Sequence, residues 1–100
     1  VYKRQIFLKL LIRRIMGKVK LKYFSRIREA IGKPSELLEI KSNNLLDLIE
    51  ELQSMGEQYS VLKGRDFVVY SAVDQNMVTD LKTSIEGATE IAFFPPMTGG

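Results

Sequence analysis

Near the end of the chain, an apolar segment that predicts a strand is followed directly by two prolines. Residues Thr89 to Phe94 predict a β-strand in which Ile91 and Phe93 share one face. Pro95 and Pro96 follow at once, and because proline has no N–H to donate to a ladder, the strand must end there. The two prolines favour an extended, stiff conformation. Whatever follows them is therefore expected to project away from the folded body.

The residues beyond the prolines form a thread with little side-chain bulk. Met97 and Thr98 are followed by Gly99 and Gly100, which lack a β-carbon and so can enter a channel too narrow for any other residue. No helical pattern is present, so a flexible tail over 97–100 is predicted. The carboxylate of Gly100 becomes the candidate reactive group. The alternative is a frayed terminus without a function of its own.

Composition limits what the rest of the chain can do. One hundred residues with 45% hydrophobic and 27% charged side chains suit one small domain with a modest core. The sequence has no cysteine and no histidine, which excludes disulfides, a thiolate nucleophile, a zinc cluster and an imidazole base. Any sulfur that this protein handles must be added to it. A reducing, cytoplasmic location is compatible with this composition.

The net charge of +3 is unevenly distributed. Residues 1–15 carry five basic and no acidic side chains, so residues 16–100 carry 10 basic against 12 acidic ones. A nucleic-acid-binding domain is expected to have a basic face on its folded part. Here the basic excess lies on an appendage, and no nucleic-acid partner is predicted.

Residues 1–16 are predicted to form a basic and apolar leader outside the core fold. Lys9 interrupts the apolar run, which argues against a signal peptide, and the segment is too short to span a membrane. Three interpretations stay open. The segment is a dispensable leader ahead of Met16, an amphipathic helix that contacts a partner or a membrane surface, or a true structural element.

Hydrophobic periodicity divides residues 17–96 into an α+β domain. Asn43 or Asn44 is the predicted N-cap of the main helix, and Asp74-Gln75-Asn76 is predicted to form a tight turn. The predicted elements are a strand over 18–24, a helix over 26–31 capped by Ser25 and ended by Gly32, a strand over 35–41, a helix over 45–55, a strand over 67–73, an edge strand at 77–78 and the last strand over 89–94. The helix over 45–55 has an apolar stripe at i, i+3, i+4 and i+7, which makes it the main core helix. The run over 67–73 is apolar throughout and predicts a central strand covered on both faces. Periodicity alone leaves several α+β folds open.

Two segments carry a resemblance to a known family. The tail Ala92-Phe93-Phe94-Pro95-Pro96-Met97-Thr98-Gly99-Gly100 resembles the signature of the small subunit of molybdopterin synthase, a ubiquitin-like sulfur carrier. The segment Tyr23 to Gly32 is similar to the end of the first strand and the first helix of the same family. The resemblance implies a ubiquitin-like β-grasp fold, with a mixed sheet packed on one main helix and a flexible Gly-Gly tail.

The same resemblance implies a chemistry for Gly100. An ATP-dependent adenylyltransferase of the ubiquitin-activating type would adenylate its carboxylate, and sulfur from a donor protein would then replace AMP. The resulting thiocarboxylate would pass its sulfur to a cyclic pterin precursor in molybdenum cofactor biosynthesis. The active site would lie on the large synthase subunit. This chain would then be a non-catalytic, sulfur-donating subunit that binds no cofactor itself, ATP being used by the activating enzyme.

A partner surface is also implied by the resemblance. Phe24 and Phe94 both fall on the non-core side of their strands, and the first and last strands of a β-grasp fold are neighbours. An exposed aromatic pair would mark a protein interface, unless the leader or the region from Tyr59 to Leu62 covers it. The residues expected to contact the large subunit are Phe24, Phe94, Pro95, Pro96, Met97, Thr98 and Val78, with Met77 as the alternative to Val78.

Other functions compete with this one. A ubiquitin-like modifier would use the same tail to join Gly100 to lysines of target proteins. A sulfur carrier for thiamine or thiolated-tRNA synthesis would also use it. Asp74 stands where the resembled family often has Asn, which leaves the sulfur acceptor open. A basic nucleic-acid module is the remaining hypothesis.

Overall fold

The computed structural model describes residues 17–96 of the 100-residue chain. Within this range five strands, two α-helices and one 3₁₀ helix follow one another. The strands are β1 (Lys18–Tyr23), β2 (Ser35–Glu39), β3 (Tyr70–Val73), β4 (Asn76–Val78) and β5 (Glu90–Phe94). The helices are α1 (Ser25–Ile31), α2 (Leu45–Met55) and the 3₁₀ helix (Glu57–Lys63). The predicted leader over 1–16 lies outside the described residues.

The strands form one mixed sheet in the order β2-β1-β5-β3-β4. β1 and β5 are parallel neighbours, whereas the other three neighbouring pairs are antiparallel. β5 is therefore the middle strand and is hydrogen-bonded along both sides. The last strand before the prolines is thus held by the two strands that flank it.

One face of the sheet contributes to a single hydrophobic core with α2. The inward residues of β1 are buried, as the alternation predicted, and so are Ile91 and Phe93 of β5. The four stripe residues of α2 are buried as well: Leu45, Leu48, Ile49 and Leu52. These observations confirm the predicted mixed sheet packed on one main helix. We call the opposite side of the sheet its outer face.

The ends of α2 follow from local hydrogen bonds. The side-chain oxygen of Asn44 accepts a 2.8 Å hydrogen bond from the Asp47 N–H, which confirms one of the two predicted N-caps. The carboxylate of Glu51 accepts from the Lys41 N–H at 3.0 Å. Because that N–H is used by the helix, β2 ends at Glu39 rather than at the predicted Lys41.

The predicted cap of the short helix is wrong. Phe24, not Ser25, is the N-cap residue of α1, and no side chain caps this helix end. Ser25 is instead the first helical residue and has a φ of +50°. Gly32 ends α1 with a φ of +93°, as predicted.

The prediction of a central strand over 67–73 is also wrong. β3 covers only Tyr70–Val73, and β5 takes the central position. Phe67 and Val69 pack against the core from a loop, while Val68 is 54% exposed. The apolar run therefore reflects the anchoring of a loop as well as a strand. Periodicity cannot separate these two uses of apolar residues.

The predicted edge strand at 77–78 is present as β4, but it begins at Asn76, so the turn before it is one residue shorter than predicted. Val73 pairs with Asn76, so Asp74 and Gln75 form a two-residue turn. Both have positive φ values, +48° and +70°, which is the signature of a type I′ turn.

Among residues 17–96, no helix is long and apolar enough to cross a bilayer.

Candidate functional site

The end of β5 fixes the base of the predicted tail. Ile91 and Phe93 point into the core, whereas Phe94 lies on the outer face. Pro95 and Pro96 follow directly and are partly buried. A rigid central strand therefore delivers the chain to the point where the tail begins.

The tail itself lies outside the described residues. Met97, Thr98, Gly99 and Gly100 were predicted to contact the partner or to carry the reactive carboxylate. These roles stay predictions.

Phe24 and Phe94 are neighbours at the tail base. The backbone N–H of Phe24 donates to the carbonyl oxygen of Phe93 at 3.2 Å, which extends the β1–β5 pairing by one residue. The Phe24 side chain is 45% exposed. The ring of Phe94 is partly buried and lies 6.1 Å from the ring of Tyr70. The predicted adjacency of the two phenylalanines is confirmed.

The region from Tyr59 to Leu62 does not cover this aromatic pair. Tyr59, Val61 and Leu62 are buried in the core beneath the sheet, on the side away from Phe94. Among residues 17–96, the aromatic pair therefore keeps an open side.

A shallow groove runs beside the two phenylalanines. Its volume is about 470 Å³, and we call it the tail-base groove. The lining residues are Lys22, Phe24, Ser25, Gln75, Glu90, Ala92, Phe94 and Pro95. Its two charged side chains, Lys22 and Glu90, form an ion pair with 3.0 Å between nitrogen and oxygen. The groove is thus apolar along its walls and neutral as a whole.

Met77 and Val78 point to opposite faces of β4. Val78 pairs with the buried Ser71 and packs partly against the core. Met77 pairs with Ala72 on the outer face and is 56% exposed. Of the two alternatives considered for the apolar contact, Met77 is the one that the geometry presents to a partner. The contact predicted for Val78 has not been tested.

Asp74, next to the groove residue Gln75, makes hydrogen bonds that stabilise the fold. Its Oδ1 accepts hydrogen bonds from the Thr89 N–H, the Thr89 hydroxyl and the Glu90 N–H, at 3.0, 2.9 and 3.0 Å. The Asp74 N–H in turn donates to the Glu90 carbonyl oxygen at 2.8 Å. This carboxylate therefore ties the β3–β4 turn to the start of β5. In the sequence, Asp74 stands out as a turn residue and as a departure from the family pattern, and neither feature predicts these hydrogen bonds.

A second polar cluster was not foreseen from the sequence. Glu36 Oε2 accepts hydrogen bonds from the hydroxyls of Tyr23 and Tyr59 at 2.7 and 2.6 Å, and Oε1 contacts the Lys33 ammonium at 3.1 Å. Burial acts to raise the pKa of Glu36, but the hydrogen bonds from Tyr59, Tyr23 and Lys33 outweigh it and lower that pKa. Burial, together with the hydrogen bond to Glu36, raises the pKa of Tyr59 to about 12 and also raises that of Tyr23.

This cluster is structural rather than catalytic. It lies on the core side of the sheet and joins β1, β2 and the 3₁₀ helix. A long-range contact between Tyr59 and Glu36, 23 positions apart, leaves no local signal in a sequence.

Across residues 17–96, no group of three or more acidic, cysteine or histidine side chains is placed to hold a metal ion.

Comparison with known proteins gives this geometry a family context. The model of the ThiS family matches residues 21–100, from β1 to the last glycine. The chain belongs to the ThiS family. A curated relative of this ThiS-family chain, the molybdopterin synthase sulfur carrier subunit of Haemophilus influenzae, is 32% identical over 80 residues. That alignment covers 78% of this chain and 94% of the relative.

Solved structures share the fold of this ThiS-family domain. SAMP1 from Haloferax volcanii has a TM-score of 0.65 at 20% identity, covering 84% of this chain and 100% of that one. A putative molybdopterin converting factor subunit 1 from Pyrococcus furiosus has a TM-score of 0.61 at 28% identity, covering 80% and 98%. A chain in the complex of subunits 1 and 2 of the molybdopterin-converting factor from Helicobacter pylori has a TM-score of 0.56 at 24% identity, covering 83% of this chain and 99% of that one. The likenesses confirm the ubiquitin-like β-grasp fold.

Proposed function

We propose that this chain is the sulfur-carrier subunit of a molybdopterin synthase. The observation that carries the proposal is the family match, which spans both Phe24 and the glycine tail and is supported by a sulfur-carrier relative at 32% identity. The geometry agrees with it, because the central strand β5 leads to Pro95 beside an exposed aromatic surface. The cytoplasm is the proposed location.

The proposed chemistry takes place on the carboxyl group of Gly100. A carboxylate is a poor electrophile, so its oxygen must first become part of a good leaving group. Attack of that oxygen on the α-phosphate of ATP would release pyrophosphate and leave an acyl adenylate. The terminal sulfur of a donor persulfide would then attack the acyl carbon and displace AMP, which gives an acyl disulfide. A thiol would cleave the S–S bond of that acyl disulfide, releasing the thiocarboxylate and leaving a disulfide between the thiol and the donor. The sequence has no cysteine, so the sulfur must be supplied from outside this chain, in this proposal by a donor protein.

The proposed partners are the proteins that would carry out the steps that this chain does not carry out itself. The large synthase subunit would supply the pterin pocket and the catalytic acids and bases, and this chain would bind no cofactor. An adenylyltransferase of the ubiquitin-activating type would use ATP. The outer face is suited to the large subunit, since Phe24, Phe94 and Met77 present apolar side chains around the tail base.

Activation of the tail tests the proposal. The purified chain is incubated with the activating enzyme, ATP and a sulfur source, and its intact mass is measured. We expect a gain equal to the mass difference between sulfur and oxygen, located in the peptide that ends at Gly100. A chain without Gly100 is the control and should remain unchanged. No gain in the full chain would refute the proposal.

The modifier hypothesis shares the fold and the tail with the proposed function. It predicts a different product, an isopeptide bond between Gly100 and a lysine of a target protein. Peptides in which a lysine carries a remnant that ends in Gly99-Gly100 would favour it over the sulfur carrier.

A further inference from the structure

An open groove along one side of α2 carries a negative charge. Its volume is about 710 Å³, and we call it the α2 groove. Three acidic side chains and one lysine line it, which leaves a net charge of −2. The lining residues are Lys41, Ser42, Asn43, Asp47, Glu50, Glu51, Ser54 and Met55.

Two of the three acids in the α2 groove face solvent. Glu51 is used by the fold, because its carboxylate accepts hydrogen bonds from the N–H groups of Lys41 and Ser42, both at 3.0 Å. Asp47 and Glu50 are exposed, and neither forms an ion pair with another residue of the range 17–96. The groove therefore offers two carboxylates that no cation of the described domain neutralises.

The N-terminal segment of the chain joins the fold beside this groove. Residues 1–16 lie outside the described residues, and Gly17 leads from them into β1. Gly17 adjoins the side chain of Glu39, and the next residue, Lys18, pairs with Glu39 at the end of β2. Lys41, the first residue of the groove, follows Glu39 by two positions. The segment is thus attached at one end of the α2 groove.

The last residues of the segment can reach the acids of the groove. Arg13 lies four positions before Gly17, and four residues of extended chain span up to about 13 Å. Asp47 and Met55 are eight positions apart on α2, which corresponds to about 12 Å of helix. The two lengths match, so no long linker is needed.

Charge favours the α2 groove over the outer face as the docking surface. Residues 1–15 carry five basic and no acidic side chains. On the outer face near Gly17, the exposed Lys18 and Lys20 outnumber Glu39 and repel a basic segment. The aromatic pair is also distant, since Phe24 lies seven positions beyond Gly17, or about 20 Å along β1. The nearest surface of opposite charge is therefore the α2 groove.

We propose that residues 11–15 of this chain dock in the α2 groove, where Arg13 and Arg14 form ion pairs with Asp47 and Glu50. The segment then packs on the helix side of the domain and leaves the outer face open to a partner. This contact is a property of the free chain and does not rest on the proposed function.

Paramagnetic broadening in the full-length chain tests the docking. The sequence has no cysteine, so Ser54→Cys and Lys20→Cys each place a single spin label, the first in the groove and the second on the outer face. Lys20 is only three positions from Gly17, so an undocked segment is broadened at least as strongly by the label at 20. Docking predicts that the amide signals of residues 11–15 lose more intensity with the label at 54. An equal or smaller loss with that label counts against docking.

Charge variants of the unlabelled chain repeat the test, and they decide if the label itself obstructs the groove. The double variant Arg13→Glu/Arg14→Glu should shift the amide resonances of the groove residues. Lys3→Glu/Arg4→Glu, the same charge change farther from Gly17, should shift them less.

A variant of the groove completes the comparison. Glu50→Lys should shift the amide resonances of residues 11–15, whereas Glu29→Lys, the same change on the exposed face of α1, should not. Equal shifts from the two double variants, or groove resonances that do not move at all, would overturn the inference and leave the groove to a basic segment of another protein. If Glu50→Lys fails to fold, the arginine variants decide.

Discussion

The carboxylate of Asp74 holds Thr89 by two hydrogen bonds, one from its backbone N–H at 3.0 Å and one from its hydroxyl at 2.9 Å. A third bond from the Glu90 N–H completes the set. The contact spans 15 positions and fixes the hairpin of β3 and β4 to the first residue of β5. It thereby orients the strand that leads to the tail.

Replacing Asp74 by Ala should lower the free energy of unfolding by about 1–3 kcal/mol, because two backbone N–H groups lose their acceptor. Asp74→Asn is the matched control, since it keeps an acceptor oxygen and tolerates a positive φ. Urea unfolding monitored by circular dichroism would measure both. Equal losses in the two variants would contradict the role assigned to the Asp74 oxygen.

Acid should weaken the fold through Glu36. Since the pKa of Glu36 is lowered in the folded state, its contribution to stability is present above the ordinary value of 4.5 and is lost as the pH falls through the folded value. Glu36→Gln should therefore destabilise the protein by about 1–3 kcal/mol at neutral pH, and the difference should shrink in acid.

Chemical denaturation of both proteins at neutral pH and at about pH 3, below the ordinary range of a carboxyl group, measures this effect. Glu29→Gln, on the exposed face of α1, is the control and should change stability by less than about 0.5 kcal/mol at either pH. A difference between Glu36→Gln and the unaltered chain that stays constant with pH would count against the hydrogen-bonded carboxylate.

The exposed ring of Phe24 should contribute to partner binding and not to folding. We expect Phe24→Ala to weaken the complex with the large subunit by about tenfold or more, as for a central aromatic contact, with little change in melting temperature. Met55→Ala provides a matched control, since Met55 is 52% exposed at the end of α2, on the side of the sheet opposite the outer face. Isothermal titration calorimetry would compare them. Equal weakening by both variants would argue against a specific surface at the tail base.

The absence of a β-carbon at Gly99 should affect the rate of sulfur transfer and not the stability of the fold. A bulkier residue such as Leu would hinder entry of the tail into a narrow active site, and misplacement of a reacting group by about 1 Å can cost on the order of 100-fold in rate. Gly99→Leu should therefore slow sulfur transfer strongly while leaving the unfolding midpoint unchanged. Gln58→Leu, which places the same side chain at an exposed position of the 3₁₀ helix, is the control. A normal rate for Gly99→Leu would be evidence against a narrow channel.

The parts of the fold that the sequence predicted well are those set by local patterns. α2 follows from its apolar spacing and from Asn44, and the turn after β3 follows from its polar residues. The adjacency of Phe24 and Phe94 followed from strand alternation together with the family resemblance. These predictions agree with the structure because each feature depends on residues only a few positions apart or on a known topology.

The wrong or missing predictions concern interactions that no local sequence pattern indicates. Ser25 looks like an N-cap in sequence, yet Phe24 is the N-cap residue and Ser25 lines the tail-base groove. The apolar residues Phe67 and Val69 anchor a loop, and Arg26 lies 4.4 Å from the centre of the Phe67 ring, which periodicity could not foresee. The cluster around Glu36 and the contacts of Asp74 join distant segments, so they became visible only in the fold.

Sulfur transfer from Gly100 tests the central claim most directly. The chain carrying a thiocarboxylate is mixed with the large subunit and the cyclic pterin precursor, and its intact mass is followed with time. The account predicts that the chain returns to the mass of the carboxylate form only when both are present, while the pterin gains sulfur. A thiocarboxylate that persists with both partners present, or that leaves Gly100 without sulfur reaching the pterin, would contradict it.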